Sequence, residues 1–263
     1  MGKIQKYLAV FNLSVVHNLK NYKALIGLSF FMITCLLIFA HLWKVVATRS
    51  GAIVDLDPDR LLWYIAFNEW VIISLPDIQE DMEQDLRSGR LAYLLPRPLS
   101  YLMATFCEGL GSLCVNLLAL GVVAFLFSWM MTSHLPFDFS SFLVMLLAGF
   151  CAGCIGLIFL MIIGISSFWF HEVGPFHWVW EKLLFILGGL MLPLVVYPEW
   201  MQAIAYLTPF PAILGERSAL VIEFLPKNVL YIFGSLLCWG TIAVTFLIIL
   251  YKKGLRIVNV EGG

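Results

Sequence analysis

Few residues of this 263-residue chain could do covalent or metal chemistry, and they lie in apolar surroundings. Cys151 and Cys154 have the C-x2-C spacing of a metal knuckle. A zinc site needs two further ligands and a polar outer layer, and the sequence offers neither. With Cys35, Cys107, Cys114 and Cys238, all within or at the edges of apolar runs, they read as small residues packing between helices. His171-Glu172 lacks the second histidine of H-E-x-x-H, and Ser166-Ser167 has no nucleophile elbow around it. No G-x-x-x-x-G-K-[ST] occurs, so the chain does not cradle nucleotide phosphates by that route. An enzyme at a bilayer face gathers His, Asp or Ser on one side, whereas here they are scattered. The reading is a non-enzyme.

The polar residues that remain, His41, Asn68, Glu69, Glu108, Asn116, Glu181 and Lys182, interrupt apolar segments. Polar groups inside a membrane are costly and are functional suspects for that reason. Asn68, Glu69, Asn116 and Glu181 are the candidates for a translocation path. Glu69 is the deepest acid and could either line a path for a cationic substrate or pair with a neighbouring helix. Glu181 and Lys182 fall near a helix end, where long side chains reach for water. Gly149, Gly153 and Gly156 read as sites of close helix contact.

The elements that carry these residues follow from composition. Hydrophobic residues make up 61% of the chain and charged residues 13%. A soluble domain carries about 25% charged residues, so the fold class is all-α membrane, in a single domain over 1–263. A spanning helix needs about 20 apolar residues. Six stretches are expected to span: 24–43, 61–76, 106–131, 141–168, 178–197 and 229–251. The N-terminus has no secretory-signal pattern, and no basic surface suited to nucleic acid is visible. With the N-terminus inside, the inner segments hold eleven of the sixteen lysines and arginines, which predicts that both termini are cytoplasmic. Residues 3–20 carry Ile4, Leu8, Phe11, Val15 and Leu19 at helical spacing, flanked by Lys3, Lys6 and Lys20, the pattern of a helix lying in the membrane interface. The segment 198–226 is apolar but broken by Pro198, Pro209 and Pro211, which suits a re-entrant segment on the outer side.

The loop 76–100 is the richest in signals. Ile78, Met82 and Leu86 form one helical stripe, with Glu80, Asp81, Glu83 and Asp85 around the rest. Ser88-Gly89 supplies a stop, and a short second helix over 90–95 ends at Pro96 and Pro98. An acidic, amphipathic helix on the cytoplasmic face, with a stripe that needs cover, predicts a docking site for a soluble partner.

The pattern Arg87-Ser88-Gly89-x-Leu91-x-x-x-Leu95-x-Arg97-Pro98-Leu99 resembles the signature loop of ABC type-2 permeases, in the branch of uncharacterised export permeases. Pro209-Phe210-Pro211, six spans, an interfacial N-terminal helix and a broken outer segment resemble that family along essentially the whole chain. Arg90 stands where many relatives carry an acid. The resemblance implies the integral membrane subunit of an ATP-binding-cassette exporter in the bacterial inner membrane. Its cargo would be small and hydrophobic or amphipathic. ATP and Mg would sit on a separate cytoplasmic ATPase, with no cofactor on this chain. It also implies a second permease, identical or a sister, in the surrounding lipid. The coupling residues would be Ile78, Glu80, Asp81, Met82, Leu86, Arg87, Ser88, Gly89, Leu91, Arg97 and Pro98. Two other classes stay open from the residues alone. One is an ion-coupled secondary transporter, although 24–131 and 141–251 show no convincing repeat. The other is a membrane assembly protein that moves nothing.

Overall fold

The computed structural model describes residues 2–49, 57–170, 172–222 and 224–261. His171 lies outside the described residues, as do the side chains of Lys3 and Arg49. The described chain is helical, with no strand among the described residues. In order come α1 (Lys3–Lys20), α2 (Tyr22–Arg49), α3 (Pro58–Ser74), α4 (Ile78–Arg87), α5 (Arg90–Leu94) and α6 (Tyr101–Thr132). They are followed by α7 (Phe139–Ile165), α8 (Gly174–Leu187), α9 (Glu199–Tyr206), α10 (Phe210–Ile213), α11 (Gly215–Ser218) and α12 (Pro226–Glu261).

Among the described residues five helical stretches are long and apolar enough to cross a membrane: Tyr22–Val46, Pro58–Arg87, Tyr101–Thr132, Phe139–Phe168 and Lys227–Arg256. The second is two helices, its apolar part ending at Ser74 before the Leu75-Pro76-Asp77 break. The expected span at 178–197 is not among the five. Helix α8 has 14 residues, about 21 Å at 1.5 Å per residue, against a hydrocarbon core of about 30 Å. The hydropathy run continues, but the backbone cannot. Gly188 caps the helix, Gly189 takes a φ of +70°, and Pro193 follows.

Helix α3 is the axis of the bundle. Asp57 caps it, accepting a hydrogen bond from the Asp59 amide at 3.1 Å, and Pro58 occupies the first turn, where its missing N–H costs nothing. Helices α2, α6 and α7 pack around it, and an unbroken run from Leu61 to Val71 is buried. The outer helices instead turn Ile26, Phe30 and Ile38 of α2, and Leu230 and Leu237 of α12, to the exterior. An apolar exterior of this kind is what a lipid-facing helix carries.

Contacts fix the two ends of the bundle. At one end Val173, just before α8, donates its amide to the Glu83 carboxylate of α4 at 3.1 Å. Tyr251 of α12 stacks on Tyr101 of α6 there, and the Tyr7 hydroxyl of α1 accepts the Ser100 amide at 3.0 Å. At the other end Arg60 donates to the carbonyl of Ile222 at 2.7 Å. The run from 173 to 222 therefore joins the α4 end of the bundle to the opposite end, although no single helix covers the distance. Helix α1 grips α6 through a polar edge: Ser14 donates to the Glu108 carbonyl at 2.6 Å and Asn18 to Ser112 at 2.7 Å. Its residues Ile4, Leu8 and Leu19 remain exposed.

Candidate functional site

Two regions answer to the expected site residues. The first is the hairpin of α4 and α5. Five of the ten residues of α4 are charged, and Arg87 closes its last turn, where the helix dipole favours a cation. Gly89 has φ +70° and ψ 4°, the left-handed turn between the two helices. A Cβ there would meet nothing within 4 Å, so glycine is favoured by backbone conformation and not by space.

The apolar stripe of α4 does not await a partner. Ile78 and Met82 are buried in this chain's own second core, with Leu91 of α5 and with Leu157, Met161 and Ile165 of α7. Gly164 of α7 permits this contact, since a Cβ on it would lie 2.9 Å from the Met82 Cβ. Leu86 is partly buried on the same cluster. The inward acids tie the hairpin to other helices. Glu83 pairs with Arg87 at 3.0 Å and accepts the Val173 amide. Asp85 pairs with Arg90 at 3.3 Å and accepts from the Tyr101 hydroxyl at 3.2 Å. Arg90 thus neutralises an acid of this chain. What faces outward is Glu80, Asp81, Arg87, Ser88, Gly89, Tyr93, Arg97 and Pro98.

The second region lies inside the bundle, about halfway along α3. Tyr64 donates its hydroxyl to the Gly189 carbonyl, and Asn68 donates to the Leu190 carbonyl at 3.2 Å and accepts from Ser218 at 2.7 Å. Arg217 is fully buried beside them. Its Nη2 donates to the Phe67 carbonyl at 2.9 Å and its Nε to the Ile213 carbonyl at 3.0 Å, while Nη1 has no hydrogen-bond partner. The Gly215 amide donates to the Gly188 carbonyl at 3.0 Å. A latch of side chains thus holds the stopped end of α8 and the broken segment around α10 and α11 onto α3. The buried main-chain carbonyls of Gly188, Gly189 and Leu190, just past the end of α8, find donors here, as buried backbone groups require.

The candidate path residues do not come together. Asn68 belongs to the latch. Glu69 is buried on the side of α3 towards Cys35 of α2. Asn116 donates to the Ser74 carbonyl at 3.1 Å, where α3 ends, and Glu181 is exposed on α8. Tyr64, Arg217 and Ser218 are the latch residues that sequence reading missed. Arg217 lies in the outer segment 198–226, and a charge within an apolar, proline-broken stretch is a signal of enclosure. Among the described residues no group of three or more His, Cys, Asp or Glu could hold a metal ion.

The ABC-2 family transporter protein profile matches residues 42–262, which takes in both regions and every helix from the end of α2 onward. The chain belongs to the ABC-2 transporter family. Its members are membrane subunits of transporters and are not themselves catalytic, in keeping with a chain whose polar side chains hold helices together. No curated protein matches this ABC-2 chain.

Proposed function

We propose that this ABC-2 chain is the permease subunit of an ATP-driven exporter and that a separate cytoplasmic ATPase docks on the α4–α5 hairpin. The observation that carries the reading is the division of that hairpin. Its apolar residues are spent on the chain's own core, and its free surface is a charged ridge around a left-handed glycine. A ridge braced on α6, α7 and the start of α8 is suited to pass a push to several helices at once.

On this reading the α4 end of the bundle is cytoplasmic and both termini lie there, in a bacterial inner membrane. The run 173–222 makes the fifth of six crossings as a half-helix followed by a re-entrant segment. Helix α1 lies in the interface with its exposed apolar residues in lipid. The path forms against a second permease, identical or a sister, and the cargo is small and hydrophobic or amphipathic. ATP and Mg belong to the ATPase.

Affinity purification tests the docking. The wild-type chain is expected to bring down an ATP-hydrolysing subunit from its native membrane. Gly89→Val forces a β-branched residue into the left-handed region, at a cost of about 1–2 kcal/mol, and re-aims α5 without touching a neighbour. The recovered ATPase activity is expected to fall about tenfold, the equivalent of about 1.4 kcal/mol of binding. Gly89→Asn, which tolerates that conformation, keeps most of it. Equal recovery with Gly89→Val would remove the hairpin as the docking site, and no ATPase with the wild type would remove the exporter reading.

A further inference from the structure

An apolar groove of about 620 Å³ opens on the side of the bundle between α3, α6 and α7. Its walls are Trp63, Phe67 and Trp70 of α3, Phe125 of α6, and Phe142 and Leu146 of α7. Both indole N–H groups are already used. Trp70 donates to the Leu117 carbonyl at 2.7 Å and Trp63 to Thr132 at 3.1 Å. The groove therefore offers ring faces and aliphatic groups, and a ligand gains nothing there from a hydrogen-bonding or charged group.

Its length matches a bilayer leaflet. Along α6 the lining runs from Cys114 to Leu126, twelve residue steps or about 18 Å. Half of a hydrocarbon core of about 30 Å is about 15 Å. The groove starts near the middle of α6 and α7, at Cys114 and Phe150, and runs towards the end of the bundle away from α4, so most of it falls within one leaflet. The lip on α6 is Leu118, Val122 and Leu126, spaced four apart and exposed, and Leu143 and Leu147 of α7 are exposed on the other side. Such a lip on a membrane-spanning helix is covered by hydrocarbon.

We infer that this groove binds one acyl chain of a bilayer phospholipid, in the leaflet opposite the docking hairpin. The chain lies along α6 with its methylenes against the aromatic walls, and its headgroup emerges near Trp63 and Phe142. The site needs neither the ATPase nor the second permease of the proposed function, and it stands or falls separately from both.

The test uses the full-length protein in phosphatidylcholine vesicles carrying a diazirine on the acyl chain, with photo-adducts mapped by peptide mass spectrometry. Adducts are expected to concentrate on the α6 and α7 groove residues over the lipid-facing Phe30 and Leu230 on α2 and α12. Ala124→Trp fills the groove from within and is expected to lower groove adducts about tenfold, leaving those at Leu230 unchanged. Leu118→Trp, on the exposed lip, blocks it from outside and does the same without touching the core. Adducts spread evenly over all lipid-facing helices, or groove adducts unchanged in both variants, would overturn the site. So would cross-links from the groove to a second copy of the chain, which would make it a contact between copies.

Discussion

Arg217→Glu is expected to prevent recovery of a folded protein, whereas Arg217→Met is expected to leave a protein that melts within a few degrees of the wild type. The guanidinium is fully buried, and its two hydrogen bonds go to the Phe67 and Ile213 carbonyls. No carboxylate pairs with it among the ion pairs of the described residues. A glutamate at this position sets a carboxylate against those same acceptors. Leaving an uncompensated buried charge costs about 3–5 kcal/mol, enough to exhaust much of a typical fold's margin of about 5–15 kcal/mol. Methionine loses two charge-assisted hydrogen bonds, about 1.5–3 kcal/mol each, and is relieved of a desolvation cost of several kcal/mol per ion. The two roughly cancel, and the methionine side chain fills the space. Heating both variants in detergent and measuring the monodisperse fraction by size exclusion separates the outcomes. A glutamate variant that melts with the wild type would mean that the latch is open to water.

The latch also marks the limit of what the amino-acid sequence discloses. Spans at α2, α6, α7 and α12 are legible because about 20 apolar residues in a row carry their own signal, whereas α3, shorter and interrupted by Asn68 and Glu69, carries a weaker one. The turn at Gly89 is legible because its signals are local: an acidic stripe, a stop, a pair of prolines. The stripe of Ile78 and Met82 was equally legible as a stripe, but not what covers it. Its cover is Gly164 and its neighbours on α7, 82 positions beyond Met82. The break after Leu187 is written in Gly188-Gly189 and Pro193, yet it lies inside an apolar run that hydropathy alone continues to Tyr197. Arg217 binds main-chain carbonyls, one of them 150 positions away. Main-chain acceptors have no sequence signature, so nothing in the residue types announces such a pairing. Of the candidate path residues, Asn68 and Asn116 are consumed in helix packing and Glu181 faces outward. Polarity within an apolar run identifies a residue that needs a partner, but it does not say whether that partner is a cargo or the fold itself.

Gly149→Ala is expected to destabilise the protein by about 2 kcal/mol, more than one added methyl group does elsewhere in the same helix. The reason is that Trp70 has nowhere to go. A Cβ on Gly149 would lie 2.5 Å from its Cζ3 and 3.1 Å from its Cη2. On the opposite side a Cβ on Gly121 would lie 2.9 Å from its Nε1, and that nitrogen is fixed by its 2.7 Å hydrogen bond to the Leu117 carbonyl. The indole must break the hydrogen bond, worth about 0.5–1.5 kcal/mol net, or push α7 away from α3 at an overpacking cost of about 1–3 kcal/mol. Gly153→Ala, one turn along α7, is the control. There the atoms nearest the new Cβ are those of the Leu113 side chain, at 3.2 Å and beyond, and the end of a leucine side chain yields, so the cost stays under about 1 kcal/mol. Pairing Gly149→Ala with Trp70→Leu removes the obstacle and should recover about 2 kcal/mol against the sum of the single changes, a coupling that a double-mutant cycle reads directly. Denaturation in detergent supplies the four free energies. If Gly149→Ala and Gly153→Ala prove equally mild, the indole is not wedged between α6 and α7, and the aromatic wall it gives the lateral groove would lose its fixed position.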